Sequence, residues 1–214
     1  TSTGTGGTLT GPVADLLNRS SSAMNNVSSY HMSMDIQTAA GNSKIEADFE
    51  RPDRMRMTMD AAGTKITSII IGSDTYVQVP GVDGYMQNNT GTSIPMADTA
   101  SILPYASDAQ TVGDETVNGY STTRVKFSYD QDKASTDMGT GTPSVSLGKA
   151  DVDMWVDKST GYIVRYKTVT TGATASTTTI DYSKFNEPIS PAIEKPTNIT
   201  TLPGMDQQTT PVVP

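Results

Sequence analysis

The residues of this sequence that could act as acids, bases or metal ligands are few and far apart. The chain has one histidine, His31, and no cysteine, which excludes thiol catalysis, disulfides and multi-histidine metal sites. A serine hydrolase needs a nucleophile beside its histidine in a cleft, and the sequence has no GxSxG elbow. His31 alternates onto the polar face of its predicted strand. That position favours a solvated or edge-bonded histidine over a catalytic one.

The aspartates that could do chemistry form two groups, Asp151, Asp153 and Asp157 in one and Asp130, Asp132 and Asp137 in the other. The first group could serve as the paired carboxylates of a glycosidase, but strand alternation places it on the outward, solvated face. The second group lacks the glycine and the terminal glutamate of a calcium-binding loop. We therefore expect no catalytic residue, no metal and no cofactor.

The spacing of the methionines is more informative than that of the histidine or the aspartates. The stretch RMRMTM, residues 54–59, places Met55, Met57 and Met59 on one face of a strand, where valine or isoleucine is the usual choice. Methionine is unbranched and polarisable, so it fills ordinary cores and also suits adaptable binding surfaces. The residues alone leave two interpretations open: a sheet core that uses methionine, or a deformable apolar cavity.

One long helix is predicted near the start of the chain, in PVADLLNRSSSAMNNVSS. Pro12 suits a first helical turn. The apolar residues recur at three-, four- and seven-residue steps around a single stripe, namely Val13, Leu16, Leu17, Met24 and Val27.

After the helix the apolar period changes to two, which indicates antiparallel strands with one wet face. YHMSMDIQ, KIEADFE and RMRMTMD have this pattern, and turn signals separate further predicted strands at about 64–71, 74–79, 84–88, 112–117, 120–129, 149–157, 161–171 and 174–183. The predicted fold class is α+β, with a strongly curved antiparallel sheet of about ten to eleven strands, because so large a sheet must curl. The helix stripe and the apolar sheet face are each other's obvious partner.

Two interruptions divide the strands. Segment 92–107 mixes apolar residues with two prolines, and we predict a short helical lid at the cavity entrance that carries Ile94, Met96, Ile102 and Leu103. Segment 130–148 is predicted to be a long polar loop. The domain prediction is a flexible Thr/Gly-rich tether at 1–10, a single domain at 11–196 and a disordered Pro/Thr-rich tail at 197–214.

Charge and composition restrict the partners. The net charge is −8 and the sequence pI is about 4.5, which argues against nucleic acid and against adhesion to anionic lipid through charge. No apolar run is long enough to span a bilayer. The opening TSTGTGGTLTG lacks the features of a signal peptide. We expect it to be a tether left after removal of a targeting segment, and the protein to be exported.

Over about residues 12–196 the chain resembles the bacterial lipoprotein-carrier superfamily that includes LolA, LolB and the mycobacterial LppX/LprG-type lipoproteins. The resemblance rests on the order and spacing of several segments: the opening helix running into SSYHMSMDI, then FERPDRMRM, IIIGSDTYVQVPG followed by GYMQ, VNGYSTTRVKF, VDMWVDKSTGYIVRYK and IDYSKFNEPISP.

The resemblance implies a half-open β-barrel capped by helices that holds acyl chains or a similar hydrophobic ligand. It also implies a monomeric, exported cell-envelope protein, anchored to the membrane by lipid at the N-terminal side. It favours the cavity interpretation of the methionines, and the lining residues we then expect are Leu17, Met24, Met32, Met34, Ile36, Ile45, Phe49, Met55, Met57, Met59, Phe127 and Met154. The alternative is an envelope sensor or surface interaction module that uses the same fold with its barrel filled by side chains.

Overall fold

The structure is a computed structural model that describes residue 9 and residues 11–88, 102–137, 147–172 and 175–200. Eleven antiparallel strands form one curved sheet that does not close, so the predicted α+β fold class is confirmed. The strands are β1 Ser29–Thr38, β2 Gly41–Glu50, β3 Arg54–Ala61, β4 Thr64–Ile71, β5 Asp74–Gln78, β6 Met86–Asn88, β7 Ala106–Val117, β8 Tyr120–Asp130, β9 Lys149–Asp157, β10 Ile163–Thr170 and β11 Ser176–Ser183.

Helix α1, Pro12–Asn25, is the predicted long helix. Proline stands in its first turn together with Asp15, where a fixed φ and a negative charge both favour helix initiation. Leu17 is fully buried and belongs to the main hydrophobic core. The face of the sheet that α1 covers is called the inner face below.

The strand order is β6-β5-β4-β3-β2-β1-β11-β10-β9-β8-β7. The first and last strands of the chain pair at the centre of the sheet, and the two edges are β6 and β7, which are consecutive in sequence. The chain between them therefore starts at one open edge and ends at the other. Most of this connection, residues 89–101, lies outside the described residues.

The register aligns the inner-face residues of β1 to β4 in three rows. The row nearest the end of α1 is aromatic and aliphatic, and the next two rows are rich in methionine. In strand order the rows are Tyr30–Phe49–Met55–Ile70, then Met32–Ala47–Met57–Ser68, then Met34–Ile45–Met59–Ile66.

The segment after β11 crosses the outer face of β3 to β5. Its Ile193 is fully buried in an outer cluster with Ile69 and Tyr76. The guanidinium of Arg54 donates to the carbonyl of Ile193 at 3.1 Å. The segment then pairs beside β6, and its backbone hydrogen bonds continue to Thr200, four residues past the domain boundary expected from the sequence.

Two segments fold differently from their predictions. Strand β7 begins at Ala106, six residues before the predicted strand at 112–117 and within the predicted lid at 92–107, because this polar stretch lacks the alternation of a strand.

A second helix, α2 Gln131–Asp137, occupies the start of the predicted polar loop at 130–148. Asp130 accepts the backbone N–H of Lys133 at 3.0 Å, which is the hydrogen bond of a helix N-cap. The helix is almost entirely polar and buries only Ala134, so apolar periodicity could not reveal it.

Ile193→Ala should lower the free energy of unfolding by about 2–4 kcal/mol, because it empties a fully buried site that the neighbouring side chains cannot refill. Urea unfolding at pH 7 measures the effect. Ile189→Ala, at a half-buried position of the same outer cluster, is the control and should cost less. Equal, small losses in both variants would contradict a packed outer cluster.

Candidate functional site

The inner face has a packed end, close to α1. Leu17, Phe49, Phe127 and Met154 are 0–3% exposed there, and Met55 is 6% exposed. The packed end is the main hydrophobic core of the domain. These five predicted lining residues therefore form a solid floor of side chains.

The rest of the inner face of β1 to β3 is apolar but incompletely covered. We call this the methionine surface, whose members are all half-buried: Met32, Met34, Ile36, Ile45, Met57 and Met59. Met57 lies between Ala47 and Ser68 in the register, so the side chains beside it are small. Met32, Met34 and Met57 also pack against the main hydrophobic core, so the surface is continuous with the packed end.

Over ten of its eleven strands, the inner face is also free of charge. In β1 to β6 and β8 to β11, the inner-face positions that the register aligns hold no acidic or basic residue. Arg54 and Arg56 lie on the outer face, where both donate to carbonyls of the C-terminal segment. The methionine surface thus offers apolar contact without an ionic partner.

The remaining predicted site residues lie around this surface. Met24 is half-buried, and its sulfur accepts the backbone N–H of Ile163 at 3.4 Å, which places it between α1 and β10. Ile102 and Leu103 are half-buried against the main core, at a 3₁₀ turn just before β7. Ile94 and Met96 lie outside the described residues.

His31 lies on the outer face between two carboxylates. Its Nε2 is 3.0 Å from Glu46 and its Nδ1 is 2.9 Å from Asp48, and Arg56 contacts the second oxygen of Asp48 at 2.6 Å. Both ring nitrogens are therefore held by carboxylates, and neither is directed at a nucleophile. Among the described residues, no three His, Asp or Glu side chains form a group that could hold a metal ion.

The first aspartate group is structural. Asp153 pairs with Arg124, and Asp151 accepts from Ser128 at 2.6 Å. Asp157 is 4% exposed, so the expected solvated position is wrong for this residue. Burial would raise its pKa, but hydrogen bonds from Ser159 and Thr160 outweigh that effect and lower it. Asp157 thereby fixes the turn between β9 and β10.

The sequence matches the model of a known protein family. The family model described as LppX_LprAFG lipoprotein matches residues 13–191. Apart from the first residue of α1, this range includes both α-helices and all eleven strands of the described residues. The chain belongs to the LppX_LprAFG lipoprotein family. A comparison with curated protein sequences finds no match.

Several solved structures have a fold similar to that of this chain. The lipoprotein LppX of Mycobacterium tuberculosis is 16% identical, with a TM-score of 0.62 over 85% of this chain and 98% of that chain. LprF from Mycobacterium bovis is 12% identical, with a TM-score of 0.60 over 88% of this chain and 99% of that one. The MucA/MucB complex of Pseudomonas aeruginosa matches at 12% identity and a TM-score of 0.50, over 86% of this chain and 60% of that chain.

As a member of the LppX_LprAFG family, the chain combines the expected lipoprotein fold with an inner face that carries no charge on β1 to β6 and β8 to β11. Within the described part of the chain, no helix is long and apolar enough to cross a membrane. The polar interactions of the outer face bind strands to one another, and the inner face is where apolar surface stays incompletely covered. The inner face is therefore the candidate site.

The charge network around His31 should make this family member sensitive to acid. Burial would raise the pKa of Asp48, but hydrogen bonds from His31 and Arg56 outweigh that effect and lower it. A carboxylate with a lowered folded pKa stabilises fully above its unfolded pKa, near 4, and this contribution is lost as the pH falls through the folded pKa. Stability should therefore decrease below about pH 4.

Asp48→Asn should cost about 1 kcal/mol at pH 7 and make the decline between pH 5 and pH 2 shallower. Urea unfolding across that range measures both effects. Asp35→Asn, at an exposed position of the neighbouring strand β1, should keep the parent pH profile. An unchanged profile in Asp48→Asn would show that the network does not contribute to acid sensitivity.

Proposed function

We propose that this chain is an exported, lipid-anchored cell-envelope protein that binds or carries a hydrophobic ligand, a lipid or acyl chains, on its inner face. The observation that supports the proposal most is the methionine surface, which is apolar and half-buried although it lies on the inside of a curved sheet. Side chains in such a position either need a further covering element or are covered by a ligand.

The energetics of the methionine surface favour an adaptable apolar guest. Each 100 Å² of apolar area removed from water contributes about 2.5 kcal/mol. Methionine can change rotamers to fit guests of different shape. A charged side chain on this surface would lose its hydration when an acyl chain covered it, which is unfavourable. The methionine surface carries no charge, so the binding of an acyl chain avoids this cost.

The proposed contacts follow the geometry of the inner face. Acyl chains would lie on the methionine surface, with Leu17, Phe49, Met55, Phe127 and Met154 as the floor below. Ile102 and Leu103 lie just before β7, which is one of the two edge strands of the open sheet. They would flank the entrance to the ligand site. Membrane attachment through an N-terminal anchor and a monomeric state are parts of the same proposal, supported by membership of a lipoprotein family.

A surface interaction module is the second candidate. It is favoured by β7, an edge strand whose residues 111–116 are all exposed and which carries Val112 at 49% exposure. An exposed edge strand can pair with a strand of another protein. The structure of similar fold from Pseudomonas aeruginosa is a complex of two proteins. This module would need no ligand on the inner face.

Met57→Trp tests the proposal, because a ring at this position fills space that a ligand would use. The neighbours Ala47 and Ser68 are small, so the change in unfolding free energy should be well below the 1–3 kcal/mol typical of overpacking. The affinity for a neutral apolar dye such as Nile red should fall severalfold. Urea unfolding and fluorescence titration measure the two quantities on the same preparation.

Met55→Trp is the matched control. Met55 is 6% exposed and lies between Phe49 and Ile70, so the same ring should cost about 1–3 kcal/mol or more there. Equal destabilisation in both variants, with no dye binding by the parent protein, would mean that the methionine surface is ordinary core. We would then interpret the protein as a surface interaction module and not as a carrier of a hydrophobic ligand.

A further inference from the structure

The three inner-face methionines of β3 differ in how far their side chains are covered. Met55 is 6% exposed, whereas Met57 and Met59 are half-buried. The backbone of β3 pairs with β2 on one side and with β4 on the other, so the area that stays accessible at these positions belongs to the side chains. A small molecule in solution can therefore reach the side chains of Met57 and Met59, but not that of Met55.

Met57 also has a polar side chain beside it. Ser68 of β4 lies directly opposite Met57 in the register, and the Cβ atoms of such a pair are about 4.5–5.5 Å apart. Ser68 is half-buried, and within the described part of the chain its hydroxyl makes no hydrogen bond. Met55 and Met59 lie opposite isoleucines of β4, which offer no donor. On β3, Met57 is thus the methionine with an unused hydroxyl next to it.

An accessible thioether can react with a peroxide. The sulfur attacks one oxygen of hydrogen peroxide, the O–O bond breaks, an S–O bond forms and the other oxygen leaves as water. Sulfur loses two electrons and the peroxide gains them. The product, methionine sulfoxide, is polar, and methionine sulfoxide reductases return it to the thioether. The sulfoxide oxygen accepts hydrogen bonds, so it needs a donor wherever water does not reach it.

We propose that Met57 is a reversible oxidation site, at which a peroxide forms a sulfoxide that the hydroxyl of Ser68 then binds. Ser68 gives the new oxygen a partner on the neighbouring strand, so the oxidised chain keeps its fold. Met55 has neither the access nor the donor, although it lies two residues away on the same face.

Oxidation at this position changes the character of the methionine surface. Met57 lies in the middle of the three rows, between the aromatic row of the packed end and the row of Met34 and Met59. A sulfoxide there interrupts the apolar surface with a polar group, which an apolar molecule could cover only by removing it from water. This consequence rests on the function proposed above: oxidation should weaken the binding of apolar molecules, and reduction should restore it.

Peptide mapping tests the site itself. The folded protein is treated with hydrogen peroxide until the chains carry on average a single added oxygen, and tandem mass spectrometry then locates the sulfoxides. Met57 should be oxidised to a much larger fraction than the buried Met55 and Met154, and incubation with methionine sulfoxide reductases should reverse the change. Protein unfolded in urea is the control, in which the three fractions should be alike. Equal fractions at Met57 and Met55 in the folded protein would overturn the inference.

A double-mutant cycle tests the role of Ser68. Met57→Gln places an uncharged oxygen acceptor where the sulfoxide would form, and Ser68→Ala removes the donor. Thermal unfolding should show a larger loss of melting temperature for Met57→Gln in the Ser68→Ala background than in the parent, because the acceptor then lacks its partner. Additive effects of the two substitutions would contradict a hydrogen bond between these positions.

Nile red titration before and after peroxide treatment tests the consequence. The affinity of the parent should fall severalfold on oxidation, the affinity of Met57→Leu should fall less, and Met55→Leu should respond to peroxide as the parent does. Met57→Gln should bind more weakly than Met57→Leu without any treatment. Equal responses of the parent and Met57→Leu would overturn the inference and leave the carrier function intact. A parent that binds no Nile red would contradict the carrier function, and peptide mapping would still decide whether Met57 is the oxidation site.

Discussion

Within the described part of the chain, the architecture depends on how helix α1 covers one face of a very wide sheet. Helix α1 has 14 residues, so it is about 21 Å long and about 10 Å across. Eleven strands spaced by about 4.8 Å would span roughly 50 Å if the sheet were flat. The helix therefore covers only one end of the inner face. Curvature brings the rest of that face towards itself, and the methionine surface is among the parts that stay half-buried.

The two ends of the inner face use different side chains because they have different tasks. Aromatic rings and fully buried aliphatic groups form the packed end, where one arrangement is fixed by close packing. Methionine, which tolerates repacking, occupies the open rows. The outer face holds the strands in place by other means: the His31 network, the Asp157 turn and the outer cluster around Ile193. Stability thus does not depend on filling the space above the methionine surface.

The sequence predicted the strands well because alternation and turn residues are local signals, and β1 to β6 and β8 to β11 lie close to their predicted positions. It predicted the inward direction of Met55, Met57 and Met59 for the same reason. It missed α2, which has one buried apolar residue, and it placed the start of β7 six residues too late because that stretch is polar. The burial of Asp157 and of Ile193 depends on contacts between distant segments.

The central claim is that the inner face holds a hydrophobic molecule. The most direct measurement is native mass spectrometry of protein purified without detergent, followed by organic extraction and analysis of the extract. The account predicts a species heavier than the bare chain, loss of the added mass on extraction, and recovery of a lipid or another acyl compound. Protein at the mass of the bare chain, which also gains no mass after incubation with an envelope lipid extract, would contradict it.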